Sequence, residues 1–193
     1  MKKGEETKRL IIENSYKIFA QKGYKDVTMK DICEACKLSR GGLYRHYQST
    51  YDIFQDVLML TQKEDIDEFE EMMKNKISAV NILENFIDDF ILQIQCKGAS
   101  INNAIYEFCI VHKNEIGKRI FEKQFRRGIE VWTKLIQYGI SLGKFKEVDA
   151  KAVAQMILFS TEGLKLSGEV LEISSEIAKN YKKQILNLLL KEI

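Results

Sequence analysis

The side chains in this sequence that could do chemistry are few, and most of them fall within residues 28–50. Cys33-Glu34-Ala35-Cys36 forms a C-x-x-C, a spacing that elsewhere binds zinc or carries out thiol redox chemistry. A structural zinc site needs about four ligands, yet no second such pair and no histidine pair completes a set, the only histidines being His46 and His112. Both thiols fall on the apolar face of the helix that contains them, so they read as small buried hydrophobes. No phosphate-binding loop, dinucleotide fingerprint, paired metal motif or nucleophile-base arrangement is present. The expectation is a protein that is not an enzyme and carries no metal or cofactor. The remaining chemistry lies in Arg40-Gly41-Gly42, followed by Tyr44, Arg45 and His46. Cations and hydroxyls beside glycines suit close approach to an anionic polymer, because without Cβ atoms the exposed first-turn amides can come up against a phosphate or a base edge.

The charge distribution agrees. The chain of 193 residues has a net charge of only +2, but residues 1–50 carry +5 and residues 51–193 carry −3. An asymmetry of this kind points the basic end toward nucleic acid or another anionic surface. The first 22 residues have no apolar run of signal-peptide length, and no later segment approaches 18 apolar residues without a charge. Four cysteines, at 33, 36, 96 and 109, are too few and too irregular for a disulfide framework. A soluble, cytoplasmic protein that makes no membrane contact is expected. There is no proline, which leaves long helices unbroken and argues for an all-α fold.

The elements that must position the Arg40 cluster can be read from period and caps. Ile11, Ser15, Ile18 and Phe19 recur at helical spacing, with Gly23 as the stop. Thr28 is placed to cap a second helix, with Asp31 completing a capping-box pattern, and Met29, Ile32, Cys33 and Cys36 share its inner face. After the short turn Lys37-Leu38, Ser39 caps a third helix whose Leu43 and Tyr47 face inward while Arg40, Tyr44 and Arg45 face out. Two short helices joined by a tight turn make a helix-turn-helix, and the two glycines near the start of the second cost about 1 kcal/mol each in helix propensity. Their compensation is close approach of the first-turn backbone to a partner.

The stretch from Ile11 to Phe54 resembles the N-terminal domain of the tetracycline-repressor (TetR) family. The resemblance rests on Phe19-Ala20 with Gly23-Tyr24, Thr28, Asp31-Ile32, Ala35, Leu38-Ser39, Gly41, Leu43-Tyr44, His46-Tyr47 and Ser49. It implies a dimeric, ligand-responsive DNA-binding regulator, most often a repressor, that reads double-stranded DNA at a near-palindromic operator. The third helix would lie in the major groove, with Arg40 contacting a base edge and Lys30 next in line. Thr28, Tyr44, His46 and Thr50 match backbone-contacting positions, and Gly41 and Gly42 permit close approach. Two residues depart from the pattern: Lys37 stands where the turn usually has glycine, and Thr50 where the fourth helix often begins with lysine.

Past residue 50 the chain still reads as helix. A stripe from Ile53 to Met73 suggests a long fourth helix, with six acids from Glu64 to Glu71 on a solvated face. Further helices are expected at Ile82 to Gln95, Ile101 to His112, Ile116 to Ser141, Ala150 to Ser167 and Ser174 to Lys191, about nine in all. The expected organisation is a DNA-binding domain at 1–50 and a helical ligand-binding and dimerisation domain at 51–193. Broad apolar coverage on 150–167 and 174–191 marks these last two helices for a homodimer interface. An unidentified small molecule would be lined by Phe86, Phe90, Gln93, Asn103, Tyr106, Glu107, Phe125 and Trp132. The alternative is a DNA-binding module gated by a protein partner or by cysteine oxidation.

Overall fold

A computed structural model describes residues 3–61, 64–95, 100–114 and 116–191, with side chains described except at positions 3, 60, 61 and 64–68. It is all-α. The helices are α1 (Lys3–Lys22), α2 (Met29–Cys36), α3 (Arg40–Tyr44), α4 (Thr50–Thr61), α5 (Glu64–Lys74), α6 (Ala79–Gln95), α7 (Ile101–Val111), α8 (Ile116–Ser141), α9 (Ala150–Gly168) and α10 (Ser175–Leu189). Among the described residues the only β pairing is an isolated bridge between Phe145 and Leu190.

The stripe expected to form one long fourth helix, from Ile53 to Met73, is described as α4 and α5, one on each side of residues 62–63. Residues 62–63 and the side chains of the first four acids of the 64–71 run lie outside the described residues. The other helices begin and end within about three residues of the expected limits, and α8 matches them at both ends.

Packing divides the chain into two compact units, Met1–Glu64 with Gly98–Phe121, and Asp65–Lys97 with Glu122–Ile193. The first is built from α1 to α4, α7 and the start of α8. Ile11, Ser15 and Phe19, four apart on α1, meet Ile32, Leu43, Ile53, Phe54 and Val57, and α7 adds Ala104 and Phe108 to the same core. An aromatic set of Phe19, Tyr24, Phe54 and Phe108 fills its centre, with Phe19 edge-on to Phe54 at 4.7 Å and Tyr24 edge-on to Phe108 at 4.9 Å. The expected division at residue 50 is one of role; the packing division falls elsewhere, because α4 and α7 share the head's core.

The second unit buries Ile82, Leu83 and Ile87 of α6 with Trp132, Leu135 and Ile136 of α8, Ala154 and Ile157 of α9, and Ile185 and Leu189 of α10. Phe145 is fully buried against the α8 backbone at Gly139, where any side-chain carbon would strike its ring. Lys146 donates its backbone N–H to the Leu189 carbonyl at 2.7 Å, holding the end of α10 to the loop after α8.

Candidate nucleic-acid interface

The interface is built from caps outward. Thr28, extended at φ −110°, accepts the Asp31 backbone N–H on its hydroxyl, and the Asp31 carboxylate accepts the Thr28 N–H at 2.8 Å. Asp31 also receives the Lys22 ammonium at 2.7 Å, which ties the end of α1 to the start of α2. These hydrogen bonds, the Lys22 one foremost, hold the Asp31 carboxyl well below the usual carboxylate range. The α2–α3 turn is a Schellman motif: Leu38 donates to the Cys33 carbonyl at 3.0 Å and Lys37 to that of Glu34 at 3.2 Å. Lys37 therefore sits in the left-handed region at φ 53°, the conformation for which glycine is the usual choice.

Ser39 caps α3 by accepting the Gly42 N–H at 3.1 Å. That cap sets the rotation of a helix only five residues long, so that Leu43 and Tyr47 go inward, while Arg40, Gly41 and Arg45 are exposed and Gly42, Tyr44 and His46 half-exposed. The Arg40 guanidinium lies over the Tyr44 ring, 5.6 Å from its centre. Neither Gly41 nor Gly42 has a positive φ, and a side-chain carbon on Gly41 would meet open space. Internal packing therefore does not require glycine at 41. Tyr47 donates its hydroxyl to Asp56 at 2.7 Å, and burial, reinforced by that carboxylate, pushes its phenol far up. Ser49 and Asp52 exchange hydrogen bonds at 2.8 and 3.2 Å to start α4, leaving Thr50 half-exposed in its first turn.

Thr28, Lys30, Arg40, Gly41, Gly42, Tyr44, His46 and Thr50 thus all lie in the α2–α3–α4 segment with at least part of their surface open. Lys30 is held 3.8 Å from Glu34 on an exposed helix face. Cys36 is buried and Cys33 half-buried; burial, with Cys33 next to it, pushes the Cys36 thiol up, the opposite of what a reactive thiol needs. Among the described residues no group of three His, Cys, Asp or Glu is placed to hold a metal ion.

The expected pocket residues are dispersed. Phe86 packs edge-on to Trp132 at 4.9 Å and Phe90 lies 5.8 Å from Tyr181, all in the core of the second unit, while Gln93 is exposed. Phe125 belongs to a groove of about 560 Å³ with Glu122, Arg126, Ile129, Glu130 and Lys151. In the first unit, Tyr106 lines an apolar groove of about 400 Å³ with Cys109, Ile110, Gly117 and Phe121, rimmed by Lys113 and Lys118; Asn103 is half-buried on the same helix. Glu107 has partners within the chain: its carboxylate accepts the backbone N–H groups of Tyr24 at 2.7 Å and Lys25 at 3.0 Å. His112, to which the sequence assigns no chemistry, has Nε2 3.1 Å from the Tyr24 hydroxyl. Neither partner is legible locally, since more than 80 residues separate Glu107 and His112 from the loop they hold.

Residues 11–57 match the profile described as bacterial regulatory proteins, tetR family. Over 185 residues the chain is 25% identical to the HTH-type transcriptional regulator YfiR of Bacillus subtilis (strain 168), covering 91% of this chain and 90% of that one. Over 163 residues it is 22% identical to IcaR, the HTH-type negative transcriptional regulator of the icaADBC biofilm operon in Staphylococcus aureus (strain Newman), covering 71% and 88%. A transcriptional regulator from Saccharomonospora viridis, solved in complex with choline, superposes with a TM-score of 0.79 at 18% identity, covering 97% of this chain and all of that one. No described helix is long and apolar enough to cross a membrane. The capped helix-turn-helix, with its cations turned outward, thus coincides with the stretch that matches the tetR-family profile, on an all-α chain similar over most of its length to HTH-type transcriptional regulators.

Proposed function

We propose that this chain is a cytoplasmic, homodimeric repressor. It reads a near-palindromic operator with residues 1–50 and releases it when a small molecule binds within residues 51–193. The observation that carries the DNA-reading part is the outer face of α3. Gly41 has open space where a side chain would go, at a cost of about 1 kcal/mol in helix propensity. That cost is offset only if something outside the chain comes close. Arg40, stacked on Tyr44, presents its guanidinium beside that gap and is the base-reading residue, with Lys30 second. Thr28, Tyr44, His46 and Thr50 contact phosphates and fix register.

Release by a small molecule is supported by the choline complex of the Saccharomonospora viridis regulator, and repression by the negative regulation stated for IcaR. A ligand acts only to the extent that it binds one conformer better than the other. Dimerisation is supported by a row of open positions along α9 and just beyond it. Met156 (52%), Phe159 (65%), Leu166 (55%) and Val170 (86%) are exposed at alternating three- and four-residue steps, with the exposed Gly163 completing the row. On α10, Ile177 is exposed and Leu188 half-buried.

The test is selection of duplexes from a random-sequence pool, followed by binding titrations. The wild type is expected to enrich a two-fold symmetric sequence. Arg40→Ala is expected to lose about 1 to 3 kcal/mol on it and to relax preference at one position in each half-site. Enrichment of no sequence, or unchanged preference in Arg40→Ala, would overturn the reading.

A further inference from the structure

The loop between α1 and α2 is gripped at two points by α7. Both the Tyr24 and the Lys25 N–H groups end on one oxygen, Glu107 Oε2, at 2.7 and 3.0 Å. Gly23 makes this possible. Its φ of +81° turns the loop, and a side-chain carbon there would stand 2.8 Å from the same carboxylate oxygen. The second grip is His112, at the C-terminal cap of α7, whose Nε2 lies 3.1 Å from the Tyr24 hydroxyl. The His112 ring is packed against Tyr51 at 4.9 Å and Phe108 at 4.7 Å. Burial, with Tyr51 next to it, pushes the Tyr24 phenol up, so the hydroxyl stays protonated beside the ring. Tyr24 is thus held by its backbone at one end and by its hydroxyl at the other.

This loop leads directly into the interface. Val27 is buried, Thr28 caps α2, and Lys22 is tied to Asp31, so a shift of residues 23–27 carries Thr28 and Lys30 with it. We infer that Glu107 is a positioning residue for DNA reading. Through its hold on the Tyr24 and Lys25 amides, seconded by His112, α7 keeps the start of α2 in the pose that meets the phosphate backbone. The inference rests on the DNA-reading function proposed above and adds a place where that function can be regulated.

The test uses the full chain and the duplex that the wild type enriches, with a scrambled duplex as control. Glu107→Ala deletes the acceptor. Glu107→Gln keeps a carbonyl oxygen that can take both N–H groups without the charge. Charge-assisted hydrogen bonds being the stronger kind, Glu107→Ala is expected to raise Kd on the enriched duplex about tenfold or more, and Glu107→Gln less than about threefold. Binding to the scrambled duplex should weaken as well, since the phosphate contacts at the start of α2 carry no sequence information, and hydrogen exchange at the Tyr24 and Lys25 amides should accelerate more in Glu107→Ala than in Glu107→Gln. A contact that merely stabilises the fold would lower the Tm and leave the Kd of the folded protein unmoved. If Glu107→Ala does not fold, Tyr24→Phe, which removes the second grip, carries the comparison and is expected to raise Kd on the enriched duplex about threefold or more. Faster exchange at the two amides with Kd within about twofold of wild type overturns the clamp alone. If the wild type enriches no duplex, the DNA-reading function falls and the clamp with it.

Discussion

Asp31 holds the Thr28 N–H, the Thr28 hydroxyl and the Lys22 ammonium at once. These contacts favour its charged form, so its pKa is lower folded than unfolded. The unfolded chain therefore binds this proton more readily, and the stabilisation is complete above the unfolded value of about 3.9 and lost as pH falls below it. In thermal unfolding from neutral pH downward, Asp31→Asn should unfold at lower temperature than wild type near pH 7, with the difference shrinking below about pH 4. A difference that stays constant with pH would show that the charge contributes nothing. Legibility at this scale depended on distance along the chain. The partnership of Thr28 with Asp31, three residues apart, follows from cap chemistry. Glu107 and Tyr24 leave no mark on each other's neighbourhood in sequence, so the hold of that carboxylate on the α1–α2 loop could not be read from it.

Among the elements, the α2–α3 turn is the one built against its usual chemistry. Lys37 occupies a left-handed position that costs a residue with a side chain roughly 1 kcal/mol. Lys37→Gly should raise stability by up to about 1 kcal/mol, read as a higher denaturation midpoint with an unchanged slope. The resemblance had placed a glycine there, and the departure proved to be tolerated strain, with both Schellman hydrogen bonds retained. At the other end of the chain, α9 is broader in apolar surface than its own unit needs. Phe159→Asp puts a charge in the open row of that helix. It should shift the protein from dimer to monomer in sedimentation and weaken operator binding, while helicity by circular dichroism is preserved. A dimer that persists would move the interface away from α9. The limits of α8 were readable because its apolar period runs unbroken from Ile116 to Ser141. A pocket lining has no period of its own, because Phe86, Phe90 and Trp132 are large apolar side chains whose spacing is equally that of ordinary core, and they pack in or against the core of their unit.

For the molecule as a whole, the head is not closed by its own N-terminal segment. Phe108 and Ala104 of α7 are fully buried against Phe54, Tyr24 and the rest of the first unit's core. A fragment of residues 1–64 would leave that aromatic set open on one side. It should show reduced helicity, non-cooperative melting and no sequence-selective DNA binding. A cooperative transition in that fragment would contradict the packing division. Sequence period alone could not reveal this, since it reports which face of a helix is buried and not which distant segment buries it.

The same division has a consequence for biosynthesis. The reading head emerges from the ribosome first, but the segment that completes its core ends at Phe121, 57 residues after Glu64. At about 5–20 residues per second, some 3 to 11 seconds of synthesis separate the two. A nascent chain therefore passes through a stage in which the side chains proposed to contact DNA exist and their support does not. On the function proposed above, operator binding by unfinished chains is disfavoured by the order of the sequence itself.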